Sequence, residues 1–251
     1  MSILARATAY KTVTALMAAA LVGAIVGAIV GAALMMRGPD PHFAPMLPMT
    51  PVAMQNGRTL NVQTREVTVA QWQDCHRAGF CGLDLSTYET EADYPATGLS
   101  FSDAMQYVDW INSVSDATWR LPTAAEWREL AAEVMPTKPE PIFTDPSLTW
   151  ASTYLTEANR TGRALRPSGA FATTTAGIED LDGNVWEWTQ DCYAGSSGQG
   201  ETIEIDRCPA FIMGGEHEAV VPYLVRDPAR GGCAVGAPPA HLSMRLVSDA
   251  S

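Results

Sequence analysis

From Thr12 to Met36 the chain runs through 25 residues without one ionisable side chain. As helix, at about 1.5 Å per residue, that stretch is roughly 37 Å long, enough to cross a hydrocarbon core of about 30 Å with some tilt. The pattern predicts a membrane-spanning helix over residues 12–36. A cleaved signal peptide is the rival reading, but its apolar region usually runs about 7–15 residues, and this one is longer. Arg6 and Lys11 precede the span, so the positive-inside tendency places residues 1–11 in the cytoplasm and everything after Arg37 on the extracytoplasmic, periplasmic side. Gly23, Gly27 and Gly31 recur every four residues, interleaved with Ala24, Ala28 and Ala32. That spacing gives one helix face almost no bulk, suited to close approach by a second copy or by another membrane protein. The plain alternative is that small residues are simply common in membrane helices.

Periodicity then stops. Residues 37–57, with Pro39, Pro41, Pro45, Pro48 and Pro51, read as an extended stalk. It resumes in the globular part, residues 58–251. Thr68 ahead of Val69, Trp72 and Cys75 predicts a short amphipathic helix within Val67–Ala78. Ser100 and Asp103 form an approximate capping box before a stripe of Ala104, Tyr107, Val108 and Ile111. Thr123 and Glu126 form a second box before Trp127, Leu130 and Val134. Beyond residue 140, Gly, Thr, Ser and Pro interrupt brief apolar runs, which predicts long loops between short strands. The fold class expected is α+β with much irregular structure.

Charge changes the picture in one respect. The net charge is -12, yet residues 1–37 hold three basic groups and no acid, so residues 38–251 carry 13 basic against 28 acidic side chains, a net of −15. A surface this acidic excludes nucleic acid as the natural partner, because phosphate binding needs concentrated Lys and Arg. All five cysteines follow residue 70, on the side expected to be oxidising. Cys75 and Cys81 flank a Gly-containing bend, and Cys192 and Cys208 flank a Gly/Ser-rich loop. Two local disulfides, Cys75–Cys81 and Cys192–Cys208, are the reading adopted, although spacing alone does not fix connectivity. A zinc site competes, but no CxxC pair or His spacing supports it. Cys233 is left over.

Alternation over Asn184–Trp188 sets Trp186 and Trp188 on one face and Glu187 on the other. An acid held among large aromatics must pair or coordinate a cation.

Arg120-Leu-Pro-Thr-Ala-Ala-Glu-Trp127 and Asp182-Gly-Asn-Val-Trp-Glu-Trp188 resemble the formylglycine-generating enzyme, or sulfatase-modifying factor, family. Glu66-Val-Thr, Tyr94-Pro, Leu99-Ser-Phe-Ser-Asp-Ala104, Met213-Gly-Gly215 and Ser243-Met-Arg-Leu246 follow in the family's order, the last where the family usually has Gly-Phe-Arg. The likeness runs from about residue 60 to 248. It implies a C-type-lectin-like sulfatase-modifying-factor fold after the membrane helix, and both cysteine pairs resemble cysteines of many members. It also implies a calcium ion held by Asp180, Gly183, Val185 and Glu187, oxygen donors of the kind Ca²⁺ takes; a plain hydrogen bond or salt bridge of Glu187 is the alternative. A second calcium site near Asn159 and Arg160 is not expected, because Arg160, Arg163 and Arg166 bring positive charge there.

The oxidative members of that family use O₂ and copper, the metal being held by two cysteines five apart, shortly after the Gly-Gly. Thiolates suit Cu(I). At the matching positions this chain has Ala219 and Leu224, neither of which binds copper. Glu216, His217 and Glu218, with Cys233, are the residues available for another metal site; on an extended strand Glu216 and Glu218 share a face and His217 turns away, and a solvated polar strand end is the simpler account. The expectation is a membrane-anchored extracytoplasmic domain without catalysis, acting as a binding or structural subunit of a membrane protein complex. The alternative is a divergent metal- and O₂-dependent oxidoreductase of the formylglycine-generating type.

Overall fold

A computed structural model describes residues 47–87, 91–136, 140, 142–148, 151–152, 155, 164–193, 207–216, 219–228 and 241–250. All lie within one compact unit that begins at Ala44. Among them no helix is long and apolar enough to cross a membrane. The expected span 12–36, with Gly23, Gly27 and Gly31, lies outside the described residues.

Among the described residues, α-helices form at three places where caps and apolar stripes coincide. α1 is Val69–Arg77, α2 is Phe101–Val114 and α3 is Ala124–Ala131. Each opens on a complete capping box, Thr68 with Gln71, Ser100 with Asp103, and Thr123 with Glu126. The reciprocal bonds satisfy N–H groups that the first turn leaves without intrahelical partners. Val134 lies past the end of α3, in the turn that follows it.

Among the described residues, seven short strands make two sheets. β1 (Met49–Ala53), β2 (Thr59–Gln63) and β7 (Val247–Asp249) form an antiparallel sheet in the order β1-β2-β7. β3 (Trp186–Cys192), β4 (Ala210–Gly214), β5 (Ala219–Pro222) and β6 (Leu242–Ser243) form the second, ordered β5-β4-β3-β6, with β6 parallel to β3. This agrees with the mixed α+β class expected of the domain.

The stalk boundary needs correction: residues 49–53 are the edge strand of the first sheet and not part of an extended stalk. Pro51 is tolerated because register turns it outward. Met54 donates its N–H to Arg58 O and Thr64 donates to Pro48 O, which makes Thr50 and Val52 the residues bonded to β2 and leaves Pro51 where no N–H is required. The Asn56-Gly57 turn, with Gly57 at φ +81°, is the hairpin signal that the proline count obscured.

Two apolar cores result. The larger packs Trp72, Tyr107, Trp110 and Ile111 of α1 and α2 against Trp188, Phe211, Met213 and Val221 of the second sheet. The smaller packs Leu60 and Val62 of β2 against Trp127, Leu130, Ile178 and Leu181. Phe101 stacks on Phe211 with ring centroids 3.5 Å apart. Both expected disulfides are present, Cys75–Cys81 and Cys192–Cys208.

Arg120 ties α3 to β7. Its guanidinium donates to both oxygens of Glu126 at 2.7 and 2.8 Å, and Arg58 adds a third contact at 2.9 Å. Burial alone would raise the Glu126 carboxyl; the bonds from Arg120, Thr123 and Arg58 outweigh it and hold the group down at about 2. A carboxylate depressed in the folded state contributes stability above its unfolded value near 4.5, and that contribution is lost as pH falls toward 2. Glu126→Gln is therefore expected to lower Tm at pH 7, with the gap to wild type closing between pH 4.5 and 2 in thermal melts.

Candidate functional site

Two places decide what this fold can do chemically. The first is the buried charge cluster between the sheets. β3 is covered on both faces: Trp188 enters the larger core while Glu187, on the opposite face, is also almost fully buried. Arg245, between β6 and β7, is fully buried and donates to both Glu187 oxygens at 2.9–3.2 Å. Trp127 Nε1 donates to Glu187 Oε2 at 2.8 Å. The remaining guanidinium protons go to the carbonyls of Gln63, Thr64 and Glu179 at 2.7–3.0 Å. Burial alone would lower the Arg245 value, and the Glu187 charge beside it more than compensates.

Two further acids face the same guanidinium. Asp180 sits at φ +67°, and its carboxylate accepts N–H bonds from Gly169 and Phe171; burial raises it, with those bonds and Arg245 opposing. Glu66 is fully buried, and neither of its oxygens has a hydrogen-bond partner among the described residues. Burial pushes its carboxyl up to about 8, against the pull of Arg245 and with added repulsion from Glu187 and Asp180. That direction favours its protonated, uncharged form. In the sequence Glu66 stands out only within a motif; an acid flanked by Val67 and, past the cap Thr68, Val69 is the signal it carries.

The expected calcium donors Asp180, Gly183, Val185 and Glu187 lie in this region, and three of the four donor groups accept bonds within the chain. Both Glu187 oxygens bond a guanidinium, both Asp180 oxygens bond backbone N–H groups, and the Gly183 carbonyl accepts from Val185 N at 2.9 Å. Among the described residues no three His, Cys, Asp or Glu side chains converge as a metal group. Arg245 already supplies positive charge at Glu187.

The second place is the end of β4 and the start of β5. Gly214 and Gly215 are required there by two indoles. A Cβ at Gly214 would come closer than 3.0 Å to the Trp127 ring, and one at Gly215 equally close to the Trp186 ring. Ala219 then opens β5 opposite Met213 and is wholly buried in the larger core. Leu224, past the end of β5, is 62% exposed. A methyl group in the core and an isobutyl group on the surface offer no lone pair. The residues at these positions do not fit copper, and no chemistry is routed through it. Asp103 at the start of α2 anchors the segment after β5 through Arg226 at 2.7 and 2.8 Å, a link the sequence did not disclose. Glu216 lies in the bend before β5; His217, Glu218 and Cys233 lie outside the described residues.

The sequence matches the family described as "FGE-sulfatase: Sulfatase-modifying factor enzyme 1-like domain" over residues 28–250. It is 30% identical over 127 residues to the formylglycine-generating enzyme of Bos taurus, a match covering 47% of this chain and 32% of that protein. The chain thus spans about a third of the length of that curated relative. The structure is similar to that of PvdO from Pseudomonas aeruginosa, with a TM-score of 0.53 and 16% identity over 77% of this chain and 82% of that one. At that identity the likeness shows the fold.

Proposed function

This chain belongs to the sulfatase-modifying factor enzyme 1-like family, and from that premise we propose that it is a non-catalytic member, tethered by residues 12–36 to a membrane, whose extracytoplasmic domain is a binding or structural subunit of a membrane protein complex. The observation that carries the reading is the pair Ala219 and Leu224. The family's copper chemistry needs two soft thiolates at those positions, and this chain has hydrocarbon, one residue buried and the other exposed. What remains is a frame held by two disulfides and a buried ion pair, with long connections between short strands. Loops on a rigid frame are suited to recognition. The Gly23, Gly27 and Gly31 face offers the membrane part a helix contact with a second copy or with another membrane protein.

The test uses the full chain purified in detergent. After metal removal and reloading with copper or iron, we expect no stoichiometric uptake of either metal and no O₂ consumption above background with a cysteine-containing peptide. One metal per chain with turnover would instead establish the alternative, an oxidoreductase drawing on Glu216, His217, Glu218 and Cys233. Crosslinking in native membranes should recover a defined partner; lone monomers throughout would count against a subunit. In the same preparation, calcium added after chelation should leave Tm unchanged. A rise in Tm that Glu187→Gln abolishes would place the ion at Asp180, Gly183, Val185 and Glu187 after all.

A further inference from the structure

The outer edge of the first sheet has backbone groups that register aims away from the domain. Because Thr50 and Val52 bond to β2, the carbonyls of Met49, Pro51 and Ala53 and the N–H groups of Met49 and Ala53 point outward. Among the described residues none of them receives a backbone partner there. Beneath this edge runs a groove of about 400 Å³. Val52, Leu130 and Ile178 give it an apolar floor, and Glu129 and Glu133 stand along one wall.

Both acids are fixed in place. Glu129 accepts from Gln55 N at 2.5 Å, and Glu133 accepts from Thr175 N at 3.0 Å and from its Oγ1 at 2.9 Å. Neither is paired with a basic side chain among the described residues, although ion pairs with Arg satisfy Glu126, Glu179 and Glu187 nearby. A carboxylate has about four acceptor sites, so capacity for a cation is left over. A mixed groove with apolar side chains and two acids in its lining fits a long basic side chain, its methylenes on the apolar part and its head at the acids.

We propose that this edge and groove dock an extended basic segment of a partner protein, which adds a strand to β1 and places a Lys or Arg side chain against Glu129 and Glu133. Strand addition draws affinity from main-chain bonds and specificity from alternate side-chain pockets. A second copy of this domain is the poorer occupant on two grounds. Residues 38–251 carry a net charge of −15, so like charges would meet, and each copy would set Pro51 against the other's edge with one donor missing. The surface lies apart from Ala219 and Leu224 in sequence and in sheet, so the inference stands whether or not the domain is catalytic.

The probe is a fluorescent seven-residue peptide alternating Val with Lys, titrated by anisotropy into the full chain in detergent at physiological salt. Binding at one peptide per chain is expected. Glu129→Gln with Glu133→Gln, isosteric changes that keep the bonds to Gln55 and Thr175, should weaken it about tenfold or more. Asp109→Asn with Asp116→Asn, on exposed positions elsewhere, should leave it unchanged. The same peptide N-methylated at alternate residues should lose binding to the unaltered protein, which tests the strand edge without any change to the fold. Absence of binding, equal weakening by the Asp109/Asp116 pair, or indifference to N-methylation would each overturn the proposal.

Discussion

Replacing Arg245 by methionine should cost the domain about 3–5 kcal/mol, the range for removing one partner of a buried ion pair. That is a large share of a typical domain stability of about 5–15 kcal/mol. The side chain removed is the principal positive partner of Glu187, and its loss also frees the carbonyls of Gln63, Thr64 and Glu179. Glu187 would keep only the Trp127 N–H, and an acceptor left unsatisfied in the interior bears the full desolvation penalty. Lysine should not rescue it, because an ammonium cannot reproduce the fork that serves one carboxylate and three carbonyls. Urea unfolding of Arg245→Met and Arg245→Lys at pH 8 measures both statements, and adding Glu187→Leu to Arg245→Met should recover part of the loss. A single variant within about 1 kcal/mol of wild type at pH 8 would show that the cluster does not depend on its arginine.

Valine at Gly214 should be nearly as damaging. Gly214 pairs with Glu187 across β3 and β4, and the Trp127 indole lies against its backbone so closely that even a methyl group has no room. The ring cannot step aside freely, because its Nε1 is bonded to Glu187. Overpacking a filled site costs about 1–3 kcal/mol and sometimes more, and here the clash also pulls on the ion pair. The expected result is a lower Tm and a red-shifted tryptophan emission that reports the displaced indole. Gly214→Ala should show a smaller version of both. Combining Gly214→Ala with Trp127→Leu should restore space but not the Glu187 bond, so the double variant remains less stable than wild type. Recovery to wild-type stability would mean that crowding alone governs the position.

The local signals were legible because each depends on neighbours in the chain. Thr68, Ser100 and Thr123 announce helix starts through bonds that span three residues, and all three boxes form. The two disulfides close short loops and could be proposed for the same reason. The ordered motifs around Trp127, Trp188 and Arg245 gave the family. What the sequence did not disclose is long-range. Glu126 pairs with Arg120 within one motif, but Arg58 reaches it from the first hairpin. Glu187 and Arg245 are 58 positions apart, and nothing in either's surroundings names the other. The stalk boundary failed for a different reason. Five prolines suggest an open chain by composition, whereas the cost of one proline depends on which way its nitrogen points, and that is set by the partner strand. The reading of Glu187 as facing away from the two indoles was right in direction, and the partner such an acid needs is Arg245.

The segment from Leu242 to Asp249 also governs when the domain can form. Leu242–Ser243 closes one sheet against β3, Val247–Asp249 closes the other against β2, and Arg245 between them neutralises an acid already placed on β3. β2 was made almost two hundred residues earlier. A chain produced from its N-terminus therefore holds an incomplete first sheet, an incomplete second sheet and an uncompensated Glu187 until residue 249 has emerged. Helices α1 to α3 and the β1–β2 and β4–β5 hairpins can start locally, but the pairings that complete both sheets wait for the last segment.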